Sequence, residues 1–272
     1  MCHRARALRR RTSVDCARMN RTLPSVAFSH SALRGPGEVT VRQNLASPSA
    51  EEEGTARWVW PGATATARWL CDRDRGRWLE KKHVLELGSG TGLLGLVAAR
   101  LGAASVTLTD LPSELHLLRA NVARNEKRNA AFSAPTFVKP LVWGDEAGML
   151  ELIDGIEPVS NADCDRNNDR DDRTKGFDVV LCCDLVYRNG DETQRALART
   201  MRAALGTSPN DDDPAGSLAV LKARRAVVAY QFRENVLADA PFFEEVDHLF
   251  ADPHKHDDGD DEDLWLFEYE PK

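Results

Sequence analysis

The stretch V-L-E-L-G-S-G-T-G-L-L-G, residues 84–95, decides the fold of this chain. An apolar run leads into three alternate glycines and then into a helix-forming segment, which predicts a strand, a tight turn and a helix start. Gly88, Gly90 and Gly92 have no Cβ, so the backbone there can adopt positive φ and lie close to a ligand. The free N–H groups at the helix start would face that ligand.

The spacing of the glycines argues against two common nucleotide-binding turns. A dinucleotide fingerprint needs glycine or alanine where this chain has Leu93, and no lysine follows the glycines as in a phosphate-binding loop. Two carboxylates flank the turn instead. Glu86 precedes it, and Asp110 ends the next apolar run, where it can accept hydrogen bonds from ribose hydroxyls. Such a site suits a nucleoside with a positive charge, and S-adenosylmethionine, with its sulfonium and amino groups, is that molecule.

Predicted helices and strands alternate from Trp60 onward, which indicates a parallel sheet covered on both faces. The C-terminal part differs, because the predicted strands at 245–248 and 264–270 lack a helix of comparable length between them and therefore suggest an antiparallel hairpin. The other predicted strands are residues 37–43, 83–87, 105–110, 137–142, 177–182 and 226–230. The predicted helices are residues 63–77, 93–101, 114–125 and 192–205.

Four sequence blocks make the chain resemble a known family. They are V-W-P-G-A at residues 59–63, the glycine turn at 86–92, L-V-W-G-D at 141–145 and C-D-L-V-Y at 183–187. In this order they resemble the seven-strand methyltransferases, and within that class the family-16 protein-lysine methyltransferases. The resemblance covers roughly residues 38–272. It implies an α/β, Rossmann-like methyltransferase sandwich with a mostly parallel seven-strand sheet, an antiparallel C-terminal hairpin and a short N-terminal β element.

The resemblance also implies which residues handle the cofactor and the methyl acceptor. Trp60 is expected to contact S-adenosyl-L-methionine, and Trp143 is expected to lie against its adenine, with Asp145 near the base edge. Asp184 and Tyr187 would line the opening where the acceptor approaches the sulfur. The expected cofactor-binding residues are Trp60, Glu86, Gly88, Ser89, Gly90, Gly92, Asp110, Trp143 and Cys183, and the expected catalytic residues are Asp184 and Tyr187.

Structural interpretations of these residues remain open at this point. Trp143 could close the core as a half-buried aromatic, and Asp110 could cap the helix that follows, a role that Ser113 could also take. A carboxylate at Glu86 is costly within an apolar strand end unless it has hydrogen-bond or charge partners. Asp184 could likewise cap the next helix.

The six cysteines form no C-x-x-C pair, which is typical of free thiols in a reducing compartment. Cys182 and Cys183 stand together at the end of a predicted buried strand. Neighbouring cysteines in such a position are more often small core residues than nucleophiles, and no histidine lies near them in the sequence. The resemblance implies that Cys183 lies beside the cofactor through its backbone.

The charge of the chain is unevenly distributed. Residues 1–50 contain nine arginines and two acidic residues, which gives this segment a net charge of plus seven. The net charge of the whole chain is minus seven, so the remaining residues have a net charge of minus fourteen. An acidic body argues against a nucleic-acid substrate, because phosphate binding requires lysine and arginine patches. It is compatible with a basic protein partner. The resemblance implies a protein substrate such as a chaperone or a translation factor.

Residues 1–36 are predicted to be a basic extension, disordered or targeting, and residues 37–272 a single methyltransferase domain. The extension is rich in arginine and poor in acids, as mitochondrial transit peptides are, although an untargeted tail is equally compatible. Polar insertions are predicted at about 161–174, 207–217 and 252–263. No run of 18 apolar residues suggests a membrane span. We therefore expect a cytoplasmic monomer, with a mitochondrial location as the alternative.

The sequence thus predicts a metal-independent methyltransferase that uses S-adenosyl-L-methionine, and the resemblance makes lysine of a non-histone protein the expected acceptor. No proline pair follows Asp184, so the N-P-P-Y or D-P-P-Y signature of base methylation is absent. Three alternatives remain. They are a methyltransferase of small molecules or of histidine or arginine, a cofactor- or partner-binding module without turnover, and a dinucleotide oxidoreductase, which Leu93 disfavours.

Overall fold

The computed structural model describes residues 23–35, 37–45, 55–156, 175–187, 190–206, 214–232, 236–256 and 264–272. These residues form a seven-stranded sheet with helices on both faces and a separate two-stranded sheet. The strands are β1 (Ser25–Phe28), β2 (Val39–Arg42), β3 (His83–Leu87), β4 (Ser105–Asp110), β5 (Thr136–Pro140), β6 (Val179–Cys183), β7 (Arg225–Gln231), β8 (His254–His256) and β9 (Leu264–Tyr269). The helices are α1 (Pro61–Asp72), α2 (Leu93–Arg100), α3 (Leu115–Asn129), α4 (Glu146–Asp154), α5 (Asp191–Ala204), α6 (Pro214–Ala223) and α7 (Ala240–Leu249).

The large sheet has the strand order β5-β4-β3-β6-β7-β9-β8. Strands β5 to β7 are parallel, and β9 is antiparallel to both of its neighbours. From β3 the chain first builds one half of the sheet and then crosses to β6 on the other side. In open α/β sheets this point of reversal, beyond the carboxyl ends of the strands, is where ligands bind. The predicted fold class is confirmed.

Strand β6 contains only apolar residues, and β3 is apolar except at His83 and Glu86, because helices cover both faces of these two central strands. Successive side chains of β3 point to opposite faces, so Val84 packs in the core under α1–α3, whereas Leu85 packs under α5 and α7. Both side chains have no exposed surface. Strand β6 shows the same division. The carboxyl ends of these strands are therefore held rigidly next to each other.

The predicted strand at 245–248 is wrong, because these residues lie in helix α7. Pro241 occupies the first turn, where its missing N–H costs nothing, and Phe242 and Val246 form one buried helical face. The strand that pairs with β9 is instead β8, which lies within the polar insertion predicted at 252–263. A four-residue window cannot distinguish a strand from part of a ten-residue helix.

The N-terminal boundary of the domain also needs correction. Strand β1 lies inside the predicted extension of residues 1–36, yet it pairs with β2, and Phe28 is buried in the core. The ordered fold thus begins before residue 37, while residues 1–22 lie outside the described part of the chain. Residues 214–217 of the second predicted insertion belong to α6, and the insertion at 161–174 is not described. No helix in the described ranges is long and apolar enough to cross a membrane.

Candidate functional site

A cavity of about 1520 Å³ opens at the carboxyl ends of β3, β4 and β6. Ligand pockets commonly have volumes of about 300–1,000 Å³, so this cavity has room for a nucleoside cofactor and an acceptor group. All but one of the predicted site residues line it: Trp60, Glu86, Gly88, Ser89, Gly90, Asp110, Trp143, Cys183, Asp184 and Tyr187. The structure thus brings four distant sequence blocks to one place. The role of each residue there stays a prediction.

The glycine turn has the backbone conformation that its sequence predicts. Gly88, Gly90 and Gly92 have φ angles of 57°, 52° and 80°, which L side chains rarely adopt. Gly92 is the one predicted residue that does not line the cavity. It is the N-cap of α2, and a Cβ there would lie 2.6 Å from a methyl carbon of Leu118. Gly92 therefore allows the turn to pack against Leu118 on the side away from the cavity, whereas the backbone of Gly90 lines the cavity.

Asp110 holds the glycine turn from the neighbouring strand. Its carboxylate accepts hydrogen bonds from the N–H of Gly90 at 2.7 Å and from the N–H of Leu111 at 2.8 Å. Burial raises the pKa of Asp110, and these two donors oppose that shift. A carboxylate has about four acceptor positions, so two remain for a ligand. Asp110 does not cap α3, whose N-cap is Glu114 without a side-chain hydrogen bond, and the cap suggested for Ser113 is likewise not formed.

Glu86 lines the cavity but is only 3% exposed. Its Oε2 accepts a hydrogen bond from the N–H of Gly95 at 3.0 Å, which supplies the partner that a carboxylate in this strand end requires. A Cβ at Gly95 would lie 2.6 Å from that oxygen, which explains the glycine inside a buried helix. Burial raises the pKa of Glu86 to about 8, so the ligand-free protein keeps it largely protonated at neutral pH.

Glu86 makes the stability of the ligand-free protein depend on pH. Its pKa is raised in the folded state relative to the ordinary value of 4.5, so the folded state binds more protons than the unfolded state between about pH 4.5 and about pH 8. The free energy of unfolding should therefore fall as the pH rises through this range. Glu86→Gln should flatten that fall, as measured by urea denaturation across the same range. Glu146→Gln, which removes an exposed carboxylate of the same cavity, is the control. Equal slopes for wild type and Glu86→Gln would contradict the assignment.

Helix α1 brings Trp60 next to the end of β6. Trp60 is the N-cap of this helix, and Pro61 follows at its first position. A Cβ at Gly62 would lie 3.2 Å from the Sγ of Cys183 and 3.9 Å from the Cβ of Asp184. Gly62 thus permits the close approach of the helix start to β6. Sequence reasoning missed this residue, although glycine in a first helical turn was a visible signal.

The thiols of Cys182 and Cys183 are unsuited to nucleophilic chemistry. Burial, the largest cause, and nearby carboxyl groups raise the pKa of each thiol above its ordinary value. Both thiols are therefore kept protonated, and a thiol rather than a thiolate is a poor nucleophile. Cys182 packs in the core, and Cys183 lines the cavity. Cys182 is thus a core residue, as predicted, and the cofactor-binding role of Cys183 stays a prediction.

Asp184 occupies a strained turn at the end of β6. Its φ is 55°, in the left-handed region that aspartate and asparagine tolerate better than most residues. Its N–H donates to the carbonyl of Ala229 at 2.8 Å, and the residue is 9% exposed. Three residues later the carbonyl of Tyr187 accepts a hydrogen bond from Gln194 of α5 at 3.2 Å. Residues that the surrounding structure holds in a strained backbone conformation often occur at functional sites.

Trp143 and Asp145 border the cavity beyond β5. Trp143 is half-buried and packs against the core under α5 and α7, yet it also lines the cavity, so its structural and functional interpretations are compatible. Asp145 caps α4 by accepting a hydrogen bond from the N–H of Gly148 at 3.0 Å. The N–H of Gly144 donates to the hydroxyl of Thr200 at 2.8 Å, which ties this turn to α5.

The lining of the cavity is strongly acidic. Its cationic residues, Lys175 and Arg199, both form ion pairs, with Asp154 at 3.6 Å and with Glu192 respectively. A surplus of carboxylates favours a ligand with positive charge over one that carries phosphates. This argues further against the dinucleotide alternative. The acidic residues are Asp110, Glu114, Asp145, Glu146, Asp154, Asp184 and Glu192, together with Glu86, which is largely protonated in the ligand-free protein.

The strand order, the antiparallel end of the sheet and the glycine turn after the central strand define the class of seven-strand methyltransferases. Within this class, residues 41–170 match the family model described as lysine methyltransferase. This match contains three of the four sequence blocks and confirms the resemblance that they indicate, while the block at 183–187 lies outside it.

Individual relatives agree with this assignment. The chain is 33% identical over 149 residues to protein N-lysine methyltransferase METTL21A of Danio rerio, covering 54% of this chain and 55% of that protein. It is 36% identical over 129 residues to protein-lysine methyltransferase METTL21E of Bos taurus, covering 47% of this chain and 37% of that protein. The matches thus span about half or less of the relatives' own length.

Among solved structures, the chain is similar to the T. thermophilus 16S rRNA N2 G1207 methyltransferase in complex with AdoMet and guanosine. The TM-score is 0.50 at 14% sequence identity, and the alignment covers 92% of this chain and 51% of that chain. At this identity the similarity shows the fold alone.

Proposed function

We propose that this chain is an S-adenosyl-L-methionine-dependent methyltransferase that modifies a lysine side chain of a protein. The observation that carries the proposal is the single cavity that joins the glycine turn, held by Asp110, to Asp184 and Tyr187. The names of the relatives, which are protein-lysine methyltransferases, support the choice of acceptor.

The residues present fit this cofactor. Asp110 has acceptor positions left for the ribose hydroxyls, and Gly88 and Gly90 both border the cavity with backbone that carries no Cβ. Trp143 offers an aromatic face to the adenine. The acidic lining suits the sulfonium and the amino group. When bound, the cofactor supplies an electrophilic methyl group.

Asp184 and Tyr187 would position the acceptor amine. A lysine amine has an ordinary pKa of about 10.4 and must lose its proton before it can attack. The carboxylate of Asp184 alone would favour the charged amine, so we assign it the role of orienting the nitrogen rather than of removing the proton. The apolar walls of the cavity act in the opposite direction, because burial disfavours the charged amine. Alignment of the nitrogen with the methyl group then supplies much of the acceleration.

The finer assignments depend on the sequence alone. The negative charge of residues 51–272 supports a basic protein partner. We further propose, from the family resemblance, that the partner is a non-histone protein such as a chaperone or a translation factor, and that the chain acts as a cytoplasmic monomer.

Calorimetry with S-adenosylmethionine and with NAD tests the cofactor. We expect saturable binding of S-adenosylmethionine and no binding of NAD, and the reverse would overturn the proposal. The acceptor is tested by incubation of a proteome with isotope-labelled cofactor and the protein, followed by mass spectrometry. Label on lysine is the expected result. Label confined to histidine, arginine or small molecules would support the alternatives, and cofactor binding without any transfer would indicate a binding module.

A further inference from the structure

Two buried asparagines of α3 hydrogen-bond to the edge of strand β2 that does not face β1. The side chain of Asn125 accepts from the N–H of Thr40 at 3.1 Å and donates to the carbonyl of the same residue at 2.8 Å. Asn121 does the same with Arg42, at 2.7 and 3.1 Å. Each side-chain amide thus pairs with one residue of β2 as a neighbouring strand would.

The spacing of the asparagines explains why side chains of one helix can hydrogen-bond to the edge of a strand in this way. Residues four apart on a helix rise by about 6 Å along its axis. Residues two apart on a strand, which point to the same edge, are about 6.7 Å apart. The spacing of Asn121 and Asn125 along the helix therefore matches the spacing of Arg42 and Thr40 along the strand. The two asparagines are 0% and 4% exposed, so water does not compete for these bonds.

The two asparagines differ in their remaining hydrogen bond. The amide of Asn125 also donates to the carbonyl of Asn121 at 2.8 Å, within the same helix. The amide of Asn121 instead donates to the carbonyl of Thr91 at 2.9 Å. Thr91 lies between Gly90 and Gly92 in the glycine turn. One side-chain amide therefore connects the small N-terminal sheet directly to the turn that borders the cavity.

A second connection joins the same hairpin to the side of the cavity that Trp58 and Trp60 line. Gln43, which follows β2, accepts a hydrogen bond from the N–H of Val59 at 2.8 Å and donates to the carbonyl of Leu23 at 2.6 Å. Val59 immediately precedes Trp60. The backbone of Ala56, three residues earlier, lies 3.4 Å from the position that a Cβ of Gly90 would take. The hairpin thus contacts both walls of the cavity that meet at the glycine turn.

We infer that Asn121 is a positioning residue for the cofactor turn and that the β1–β2 hairpin helps to build the cofactor site. Without the bond from Asn121, the carbonyl of Thr91 is left buried without that donor, and the turn can move relative to Asp110. This inference rests on the proposed function for the identity of the ligand, but the geometry of the turn can be tested without it.

Asn121→Ala and Asn125→Ala form a matched pair, because each removes one side-chain amide from the same helix and the same strand edge. The affinity for S-adenosylhomocysteine is measured by calorimetry at a temperature where both variants are folded. Asn121→Ala should weaken binding by about tenfold, whereas Asn125→Ala should change it by about twofold or less. In the ligand-free proteins, hydrogen exchange of residues 88–92 should accelerate in Asn121→Ala only.

Equal effects of the two variants on binding and on exchange would show that the asparagines only hold the hairpin, and would overturn the inference. If wild type fails to bind S-adenosylhomocysteine, the proposed function fails, while the exchange comparison still decides the role of Asn121. If Asn121→Ala does not fold, the comparison is made with Asn121→Asp and Asn125→Asp, which keep the side-chain volume and the acceptor oxygen. The same difference between the two positions is then expected.

Discussion

Replacement of Asp184 by asparagine is expected to reduce kcat by about 100-fold or more while changing the affinity for S-adenosylmethionine by about threefold or less. The carboxylate that we propose orients the acceptor nitrogen is lost, but the backbone conformation is not, because asparagine also tolerates a φ of 55°. Single-turnover methylation of a lysine-containing substrate protein and calorimetry with the cofactor measure the two quantities separately.

A matched control is available at Asp74, an exposed aspartate that also has a positive φ, of 45°. Asp74→Asn changes the same chemical group in a similar backbone conformation at a distance from the cavity, so it should leave both quantities unchanged. Unaltered transfer by Asp184→Asn would remove Asp184 from the proposed mechanism. A parallel loss of cofactor affinity would reassign it to cofactor binding.

Asp110→Ala is expected to weaken binding of S-adenosylmethionine by about 100-fold. Two contributions act together. The N–H groups of Gly90 and Leu111 lose the carboxylate that they share, so the glycine turn loses one of its attachments to β4, while the hydrogen bonds between Ser89 and Thr109 remain. The proposed contact with the ribose hydroxyls loses its carboxyl acceptor as well. Hydrogen bonds to charged groups contribute about 1.5–3 kcal/mol each, and about 1.4 kcal/mol corresponds to a tenfold change in affinity.

Calorimetry measures this loss, and urea denaturation of the ligand-free protein shows how much stability is lost at the same time. Asp247→Ala, which removes an exposed carboxylate from α7, should leave the affinity unchanged. An Asp110→Ala protein that binds S-adenosylmethionine as tightly as wild type would show that the carboxylate serves the turn alone and has no contact with the ribose.

The central strands and the glycine turn could be predicted because their signal is local. Three of the four residues from Val84 to Leu87 are apolar, and glycines at alternate positions permit left-handed backbone conformations that other residues rarely adopt. The prediction of a strand at 245–248 is wrong because the signal of this segment is not local. The buried face of α7 becomes visible only when Phe242 and Val246, which are four residues apart, are considered together.

The candidate site was predictable to a similar degree. The sequence predicts one pocket formed by residues of the four blocks and by Asp110, and ten of the eleven predicted residues line one cavity. Gly92 could not be separated from Gly88 and Gly90, because all three lack a Cβ and differ only in what lies opposite. Behind Gly92 that neighbour is Leu118, which is 26 residues away in the sequence.

By itself, the amino-acid sequence determined the type and order of the central elements, the left-handed turn, and the placement of Glu86 and Asp110 on either side of it. These follow from side-chain periodicity and from the conformational freedom of single residues. Only the tertiary structure decided that Asp110 accepts a hydrogen bond from Gly90, that Glu86 meets the N–H of Gly95, and that Asn121 joins β2 to Thr91. The physical reason is that a buried polar group takes whichever partner the packing of distant elements brings within about 3 Å, and no local pattern in the chain specifies that partner.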